Sequence, residues 1–514
     1  MLAESLGVDL VLQKIHIETN LWIQFGHESA PMDHPFEFPL DLPARGSRQR
    51  LMALHSQLRA AILDGRLKAG LRLPATRVLA GALGISRNTA VAAYDLLLGE
   101  GYIVAQRGAG NFVADLAVRR EASRTTSSKE HPGRQLAPYW RSFTSMPALT
   151  PVGAFAHDFR LGIPDSRAFP YDIWRRLSAR ALRNVSKSPP LYDFPQGRPA
   201  LCKAIAHHIS FARAVACEPG DVIVTSGAQQ AFDLLARVLV TPGHTVAAVE
   251  DPGYPPLRAA FMAAGARVVG VPADEEGLIV EKLPADANVI YVTPSHQFPL
   301  GVVMSPHRRA ALLDFAHTRG ALVIEDDYDS EFRYSGRPLD ALQTLDRHDT
   351  VCYVGTFSKC LFPALRIGYA VAPPWLRAAL AHAKQQADWH GDVLAQDTLA
   401  AFIAEGHLAR HVRHMRKIYA ARRDALLDAL TRHGRSTFRV WPSDAGLHLA
   451  ARLPASIDAT TLAMHAAEAG IHLEALHTYA LDAAAVNSVG FGLGMIEVSR
   501  IDEAIERLVQ LVGA

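Results

Sequence analysis

The stretch that decides the fold runs from Tyr353 to Pro373 and reads YVGTFSKCLFPALRIGYAVAP. An apolar strand is followed by a turn of small polar residues with one lysine, Lys359, and then by Arg366 and a second apolar strand. A lysine in this setting can form a Schiff base with an aldehyde, and the nearby hydroxyls and guanidinium can donate to a phosphate. The stretch therefore predicts a ligand site at the end of a buried strand.

Outward from this stretch, apolar strands alternate with helical segments. DVIVTSGAQQAF, NVIYVTPSHQF and LVIEDDYDSEF each end a strand in small or polar residues. This rhythm predicts an α/β fold with a mainly parallel sheet covered by helices on both faces. Because ligands of such sheets bind beyond the carboxyl ends of the strands, we expect these polar ends to share one site.

The chemistry of these strand ends points to one cofactor. TSGAQQAF begins a helix whose free N–H groups can hold phosphate, although Ser-Gly before a helix is often only a cap. The acids of LVIEDDYDSEF are costly to bury unless they pair with a cation or a ligand nitrogen, although a capping cluster is equally open. Pyridoxal 5'-phosphate needs a lysine for its aldehyde, an acid for its pyridinium nitrogen and a phosphate cup. Together, and in this order, the motifs predict a pyridoxal phosphate site.

The charge of the chain is unevenly distributed. Between Ala44 and Asp115 there are ten Lys or Arg and four Asp or Glu, about +6. Of the 53 basic and 51 acidic residues in all, the rest of the chain holds 43 and 47. A basic segment on a mildly acidic body indicates a polyanion partner, although charge alone leaves an ordinary solvated face open.

The basic segment has the pattern of two short helices followed by a hairpin. LPATRVLAGALG predicts a helix capped by Thr76, and ISRNTAVAAYDLLL a second helix capped by Ser86. GYIVAQRGAGNFV predicts two strands around a glycine-rich tip. The polar start of the second helix would then face the major groove, and the tip a phosphate or the minor groove.

From GRLKAG to GNFV this segment closely resembles the GntR winged-helix family. The resemblance implies double-stranded operator DNA as a partner. It also implies DNA contacts from Arg72, Arg77, Ser86, Arg87, Asn88, Thr89 and the tip formed by Arg107 and Gly108.

These patterns predict an order of domains. Residues 1–40 match nothing and stay unassigned, and residues 41–116 form the winged helix. Residues 117–151 are polar, rich in Ser, Thr and Pro, and are predicted to be a flexible linker, because a structured insertion would lack apolar surface. Residues 152–384 form the large α/β domain, and residues 385–514 a small C-terminal α/β domain.

From about Asp41 to its end the chain resembles the MocR/GabR family, bacterial regulators that join a GntR winged helix to a fold-type I aminotransferase-like domain. The resemblance implies that Lys359 carries pyridoxal phosphate, that Asp326 pairs with the pyridinium nitrogen and that Tyr328 bonds the ring hydroxyl. It further implies a stacking role for Tyr254.

The same resemblance implies where the remaining cofactor contacts lie. His296 would line the edge of the ring, and Tyr192 would reach the phosphate from the partner subunit. The phosphate itself would be held by the main chain of Ala228 and Gln229 and by the side chains of Thr356, Ser358 and Arg366.

One departure bears on function. Aminotransferases usually carry an arginine for the substrate carboxylate in their last strand, where this chain has Ser488, and a second family position holds Pro256. The chain therefore lacks the arginine that binds the substrate carboxylate, unless Arg258 takes over that role. This favours a regulator that senses an amine, an amino acid or a B6 vitamer over an active aminotransferase with a DNA-binding domain, because transamination needs both half-substrates fixed. The intact Lys359 disfavours a third alternative, a DNA-binding scaffold with an empty site.

The overall composition bounds these interpretations. Hydrophobic residues make up 49% and charged residues 20% of 514 residues, which is typical of a globular protein of two or three domains. No apolar run reaches the roughly 18 residues of a membrane span, no signal peptide is recognised, and the four cysteines have no CxxC spacing. We therefore expect a cytoplasmic protein without a membrane partner or a metal site. Because fold-type I sites lie between subunits, we also expect a homodimer.

Overall fold

The computed structural model describes residues 35–36, 38–44, 49–106, 108–115, 136–142, 153–187, 191–334, 340–481 and 486–513. The chain divides into two compact units, Met1–Arg134 and Gln135–Ala514. The division lies inside the predicted linker, of which residues 136–142 are described. Pro138–Ser142 forms a 3-10 turn that contacts the helix Pro255–Ala263. The predicted domain borders remain predictions.

The first unit consists, in its described residues, of helices and one antiparallel hairpin. They are α1 (Arg50–Leu63), α2 (Thr76–Ala82), α3 (Arg87–Gly99), β1 (Ile103–Gln106) and β2 (Gly110–Val113).

Its core forms where the apolar faces of the helices meet the hairpin. Leu54, Leu58 and Tyr94 are fully buried there. Phe36, from the segment that sequence analysis left unassigned, joins the same core. The alternation of Phe36, Phe38, Leu40 and Leu42 was the signal that sequence analysis overlooked, since all four side chains pack on this core.

The two predicted helix caps have different outcomes. Ser86 caps α3, and its Oγ accepts the Thr89 N–H at 3.0 Å. The cap predicted at Thr76 is wrong, because α2 already begins at Thr76 and the N-cap residue is Ala75, which offers no side-chain oxygen.

The second unit contains the remaining described elements. Its helices are α4 (Tyr171–Val185), α5 (Pro199–Arg213), α6 (Gly227–Leu239), α7 (Pro255–Ala263), α8 (Pro306–Arg319), α9 (Leu342–Leu345), α10 (Pro374–Asp388), α11 (Val393–Ala404), α12 (His407–His433), α13 (Ala459–Glu468) and α14 (Val498–Gly513). Its strands are β3 (His157–Asp158), β4 (Val222–Thr225), β5 (Val246–Asp251), β6 (Arg267–Asp274), β7 (Gly277–Leu278), β8 (Val289–Val292), β9 (Leu322–Asp327), β10 (Val351–Thr356), β11 (Gly368–Val371), β12 (Arg439–Val440), β13 (His448–Arg452), β14 (Ile471–His472), β15 (Glu474–Ala475) and β16 (Ser488–Gly492).

The large sheet has the order β4-β11-β10-β9-β8-β5-β6-β7. Neighbours from β10 through β9, β8 and β5 to β6 are parallel, whereas β11 runs antiparallel between β10 and β4. Both faces are covered, since Val222 and Val224 pack into one cluster and Ile223 into another. The predicted α/β fold with a mainly parallel, doubly covered sheet is confirmed.

A smaller sheet follows the helices α10 to α12. Its order is β12-β13-β16-β15, and its pairs are antiparallel. The loop before β13 reaches the large sheet, because the Leu447 N–H donates to Asp329 just beyond β9. The small sheet thus closes one side of the strand ends where the predicted site lies.

Candidate functional site

A cavity opens at the carboxyl ends of the central strands. It is lined by Gly162, Ile163, Ala228, Gln229, Tyr254, Tyr291, Phe298, Asp326, Tyr328, Thr356, Ser358, Lys359, Pro363 and Arg366. The parallel register of β9 and β10 pairs Asp326 with Val354, so the loops after both strands emerge side by side. All predicted cofactor residues except Tyr192 and His296 meet in this cavity.

Lys359 lies on the cavity wall just after β10. Its Nζ donates a hydrogen bond to the Gly162 carbonyl at 2.6 Å. Burial lowers the pKa of Lys359, against the opposing charges of Asp329 and Asp326. An amine with a lowered pKa is a better nucleophile near neutral pH, so this lysine suits covalent attachment to an aldehyde.

Asp326, the second-to-last residue of β9, has one carboxylate oxygen without a hydrogen-bond donor among the described residues. Its Oδ2 accepts the Tyr291 hydroxyl at 2.7 Å, whereas Oδ1 has no partner among the described residues. Burial raises the pKa of Asp326 to about 7. A buried carboxyl with one free oxygen at a cavity suits a protonated ring nitrogen, which would supply both the hydrogen bond and the opposite charge.

The other end of the cavity is built for an anion. Helix α6 begins at Gly227, one residue after the end of β4, and its first turn lines this end through Ala228 and Gln229. Arg366 adopts a left-handed conformation with φ 53°, and its Nη2 donates to the Ser226 carbonyl at 2.9 Å. The Thr356 and Ser358 hydroxyls lie 3.1 Å apart beside it. One guanidinium, two hydroxyls and a helix start fit a phosphate.

Two glycines allow this approach of backbone and side chain. A Cβ at Gly227 would lie 2.8 Å from Arg366 Nη2, and Gly227 has φ +74°. A Cβ at Gly368, on β11, would lie 2.7 Å from the carbonyl carbon of Gly227. A side chain at either position would therefore displace the groups that form the anion end, which consists of Arg366, Thr356, Ser358 and the start of α6.

The two remaining predicted residues lie elsewhere. His296 does not line the cavity but contacts it indirectly, since its Nδ1 is 2.9 Å from the Tyr328 hydroxyl. Tyr192 is 75% exposed and stacks on Trp389 with ring centroids 4.6 Å apart. Its predicted role depends on a partner subunit.

Sequence analysis missed Tyr291, Phe298, Gly162, Ile163 and Pro363 among the lining residues. Tyr291 sits in the fully buried strand β8 and reads as core, because no sequence pattern shows that its hydroxyl reaches Asp326. The other four lie in loops whose path depends on the tertiary structure.

The missing carboxylate arginine is not replaced from nearby. Ser488 is buried on β16, with its Oγ 3.5 Å from Trp441 Nε1. Arg258 is buried and donates to the Tyr479 carbonyl at 2.9 Å, and it does not line the cavity. Within the described part of the chain, Lys359 and Arg366 are the cationic side chains on the cavity wall.

Most of the predicted DNA-contacting residues that the structure describes are exposed. Arg72, Arg77, Arg87 and Asn88 are exposed, Thr89 is half-buried, and Ser86 forms the cap. Gly108 is exposed at the hairpin tip with φ +77°. Arg107 lies outside the described residues.

Comparison with known proteins bears on both units. Residues 53–113 match the model of the bacterial regulatory proteins of the gntR family, and residues 173–494 that of aminotransferase class I and II. The chain is 38% identical over 427 residues to the probable rhizopine catabolism regulatory protein MocR of Rhizobium meliloti, covering 82% of this chain and 85% of that one. The chain belongs to the MocR family of transcriptional regulators.

A second regulator and a solved aminotransferase are also similar to this chain. The pyridoxine biosynthesis transcriptional regulator PdxR of Corynebacterium glutamicum is 35% identical over 448 residues, covering 86% of this chain and 91% of that one. A kynurenine aminotransferase of Pyrococcus horikoshii, solved in complex with PMP, has a TM-score of 0.65 at 29% identity, covering 69% of this chain and 90% of that one.

Membership of the MocR family confirms several predictions. The GntR winged helix makes the chain a DNA-binding transcriptional regulator, and its second unit has the aminotransferase class I/II fold. The predicted cofactor class is confirmed at family level, since aminotransferases of this fold depend on pyridoxal phosphate. In the part of the chain that the structure describes, no helix combines the length and apolarity needed to cross a bilayer.

Proposed function

We propose that this MocR-family regulator holds pyridoxal phosphate at Lys359 and responds to an amine, an amino acid or a B6 vitamer by a change in operator binding. The observation that carries the proposal is the arrangement of the cavity, where a lysine of lowered pKa, a carboxyl with a free oxygen and an anion-binding end line the same space. Each of these three features suits one part of that cofactor.

The residues divide the work of holding the cofactor. Asp326 would hold the ring nitrogen, Tyr254 would cover one face of the ring, and Arg366 with the start of α6 would bind the phosphate. The bound cofactor supplies an aldehyde that primary amines can reach. Lys359 would hold that aldehyde covalently, and its lowered pKa would favour the neutral amine that such a bond requires.

The three chemical classes of effector differ in the contacts that they need from the cavity. A vitamer needs no further contacts beyond those for the cofactor itself, and a relative that regulates pyridoxine biosynthesis supports that class. An amine without a carboxylate fits the site that lacks the arginine at Ser488. An α-amino acid needs a cation from elsewhere, for example from the partner subunit.

An active aminotransferase is the second candidate function. The likeness to a kynurenine aminotransferase favours it, and Lys359 is the residue that such catalysis requires. The missing carboxylate arginine weighs against it. A test separates the two: a regulator shows an effector-dependent change in absorbance and DNA binding, whereas an aminotransferase also transfers the amino group to a keto acid with turnover.

The assembly that we propose is a homodimer, which presents two winged helices to two half-sites of an operator. Leu191, Tyr192, Phe194 and Trp389 are exposed apolar side chains around the predicted inter-subunit tyrosine. They offer the apolar surface that such an interface needs.

Lys359→Ala tests the covalent attachment. Wild-type protein loaded with pyridoxal phosphate is expected to absorb in the visible. Because Lys359 binds the aldehyde covalently, borohydride reduction should leave the cofactor attached as a label that survives denaturation. Lys359→Ala is expected to lose the label completely. Lys282→Ala, which changes an exposed lysine, is the matched control. Label that survives in Lys359→Ala would contradict the proposal.

Arg87→Ala and Arg107→Ala test the DNA-binding surface. If each arginine makes one phosphate contact, each substitution should weaken binding across sequences and reduce the log–log salt slope by about one unit. Arg66→Ala is the control, since Arg66 is exposed but already paired with Asp64. Equal affinities for all three variants and wild type in a salt titration would rule out this placement of the DNA.

A further inference from the structure

Behind the cavity, Tyr328 contacts a buried network that joins the predicted residue His296 to Asp329, which was not predicted. Its hydroxyl lies 2.9 Å from His296 Nδ1. The same Nδ1 lies 3.1 Å and 3.0 Å from the two carboxylate oxygens of Asp329. His296 and Asp329 are each 1% exposed. One ring nitrogen therefore has two partners, and its protonation state decides whether the Tyr328 hydroxyl donates or accepts at this contact.

The chemistry of the partners assigns the proton. A carboxylate accepts and does not donate, so the contact with Asp329 requires a proton on His296 Nδ1. Asp329 also accepts the Leu447 N–H at 3.0 Å, which fixes it as an acceptor. Since Nδ1 carries a proton, the Tyr328 oxygen can only accept at this contact.

The direction of the Tyr328 proton follows from this assignment. Burial raises the pKa of Tyr328 well above its ordinary value, so the hydroxyl keeps its proton. Because the side that faces His296 is used as an acceptor, the proton is free to point into the cavity that Tyr328 lines. A ring hydroxyl or its anion in the cavity would receive this hydrogen bond.

Residues of β13 and of the loop before it pack against His296 and Asp329. His448, at the start of β13, stacks obliquely on His296 with ring centroids 4.6 Å apart. Burial lowers the pKa of His448 to about 3, so the ring is neutral, and its Nε2 must donate to the Pro299 carbonyl at 3.0 Å. A Cβ at Gly446 would collide with His296. The loop before β13 thus fixes both the carboxylate and the imidazole.

We propose that His296, oriented by Asp329 and by the loop before β13, is a positioning residue that turns the Tyr328 hydroxyl proton toward the cofactor ring. The inference rests on the proposed function, because Tyr328 has a ring to act on only when the cofactor is bound. It makes the electronic state of that ring sensitive to the position of β13 and of the loop before it, which supply His448 and Leu447.

The test compares the absorbance of cofactor-loaded variants at one fixed pH. Tyr328→Phe removes the donated proton and defines the expected shift between the visible and near-ultraviolet bands. His296→Gln moves the donor group away from the Nδ1 position and is expected to reproduce most of that shift. His296→Asn places an amide N–H near the original Nδ1 and is expected to restore the wild-type spectrum. Asp329→Asn weakens the acceptor for the Nδ1 proton, because one neutral amide oxygen must serve both His296 and the Leu447 N–H, and should shift the spectrum part of the way toward Tyr328→Phe.

The outcomes separate the inference from the proposed function. Borohydride labelling shows how much cofactor each variant holds, so a spectral shift at full labelling cannot come from loss of the cofactor. A shift in Tyr328→Phe with unchanged spectra in both His296→Gln and Asp329→Asn would overturn the positioning role while leaving the proposed function intact. Wild-type protein that takes up no cofactor would overturn both.

Discussion

At the scale of single residues, the site depends on a carboxyl group whose ionised form is disfavoured by burial. Asp326 is buried with one oxygen unpartnered among the described residues, and burial raises its pKa to about 7. In the unfolded chain the carboxyl titrates at about 3.9. Between these values the folded protein holds more protons, so this residue's contribution to the free energy of unfolding falls as pH rises from about 4 to about 7.

Asp326→Asn should therefore stabilise the cofactor-free protein and weaken the cofactor complex. At pH 8 we expect a gain in the free energy of unfolding on the order of 1–3 kcal/mol, which disappears near pH 4, and a large loss of cofactor affinity. Denaturant unfolding at both pH values and a cofactor titration measure the two effects.

Glu250→Gln is the control for this prediction. Burial also raises the pKa of Glu250, to about 8, but it does not line the cavity. It should show the gain in stability and keep the affinity. If Asp326→Asn bound the cofactor as tightly as Glu250→Gln does, the role of Asp326 would be wrong.

The residues of the cavity were predictable to the extent that their chemistry is local. The lysine, the acids and the hydroxyls stand in short motifs after strands, and the resemblance selected Asp326 over its acidic neighbours. His296 was placed at the ring edge, but it acts from behind Tyr328, because the choice depends on a side-chain direction within a loop. The hydroxyl of Tyr291 was missed since its burial in β8 resembles that of any core residue.

At the scale of elements, the start of α3 carries most of the residues predicted to contact DNA. Ser86 caps the helix through the Thr89 N–H and lies 2.8 Å from the Thr89 hydroxyl. Such caps contribute about 1 kcal/mol. Sequence predicted this cap because a serine precedes an apolar period, but it misplaced the cap of α2 by one residue, and boundaries shift in this way when several polar residues adjoin.

Substitutions at Ser86 should separate folding from DNA recognition. Ser86→Ala should lower the stability of the helix by about 1 kcal/mol, measured as faster hydrogen exchange in α3. Ser86→Asn and Ser86→Asp should both restore the cap, but only Ser86→Asp should weaken DNA binding, because its charge repels phosphates. Equal DNA affinities for Ser86→Asn and Ser86→Asp would show that α3 does not begin at the DNA surface.

At the scale of the whole molecule, the alternation of strands and helices was enough to predict the parallel sheet. The antiparallel insertion of β11 between β10 and β4 was not predictable, because strand order depends on pairings distant in sequence. The proposed homodimer cannot be observed in the structure of one chain.

The main support for the homodimer is the apolar surface around Tyr192 and Trp389, which stack on each other while both are more than half exposed.

Trp389→Arg is expected to shift the protein toward monomer in analytical ultracentrifugation, because it places a charge in the proposed interface. Met464→Ser changes an equally exposed apolar residue on α13 and should leave the mass unchanged. Tyr192→Phe should keep the dimer but weaken the cofactor on the order of tenfold, because a hydrogen bond to a charged group contributes about 1.5 kcal/mol. A monomer that holds the cofactor tightly would contradict both roles.

The contact between Gly227 and Gly368 has a consequence for how such regulators diversify. A Cβ at Gly227 would collide with Arg366, and a Cβ at Gly368 would collide with the backbone of Gly227, so neither glycine can be replaced alone without loss of the anion end's geometry. The wall formed by Tyr254 and Phe298 has no comparable constraint, since aromatic side chains there meet each other edge to face at 5.8 Å. Since Tyr254 is assigned to the cofactor ring, Phe298 is the side chain of that wall whose exchange would alter the signal that is recognised while cofactor capture is retained.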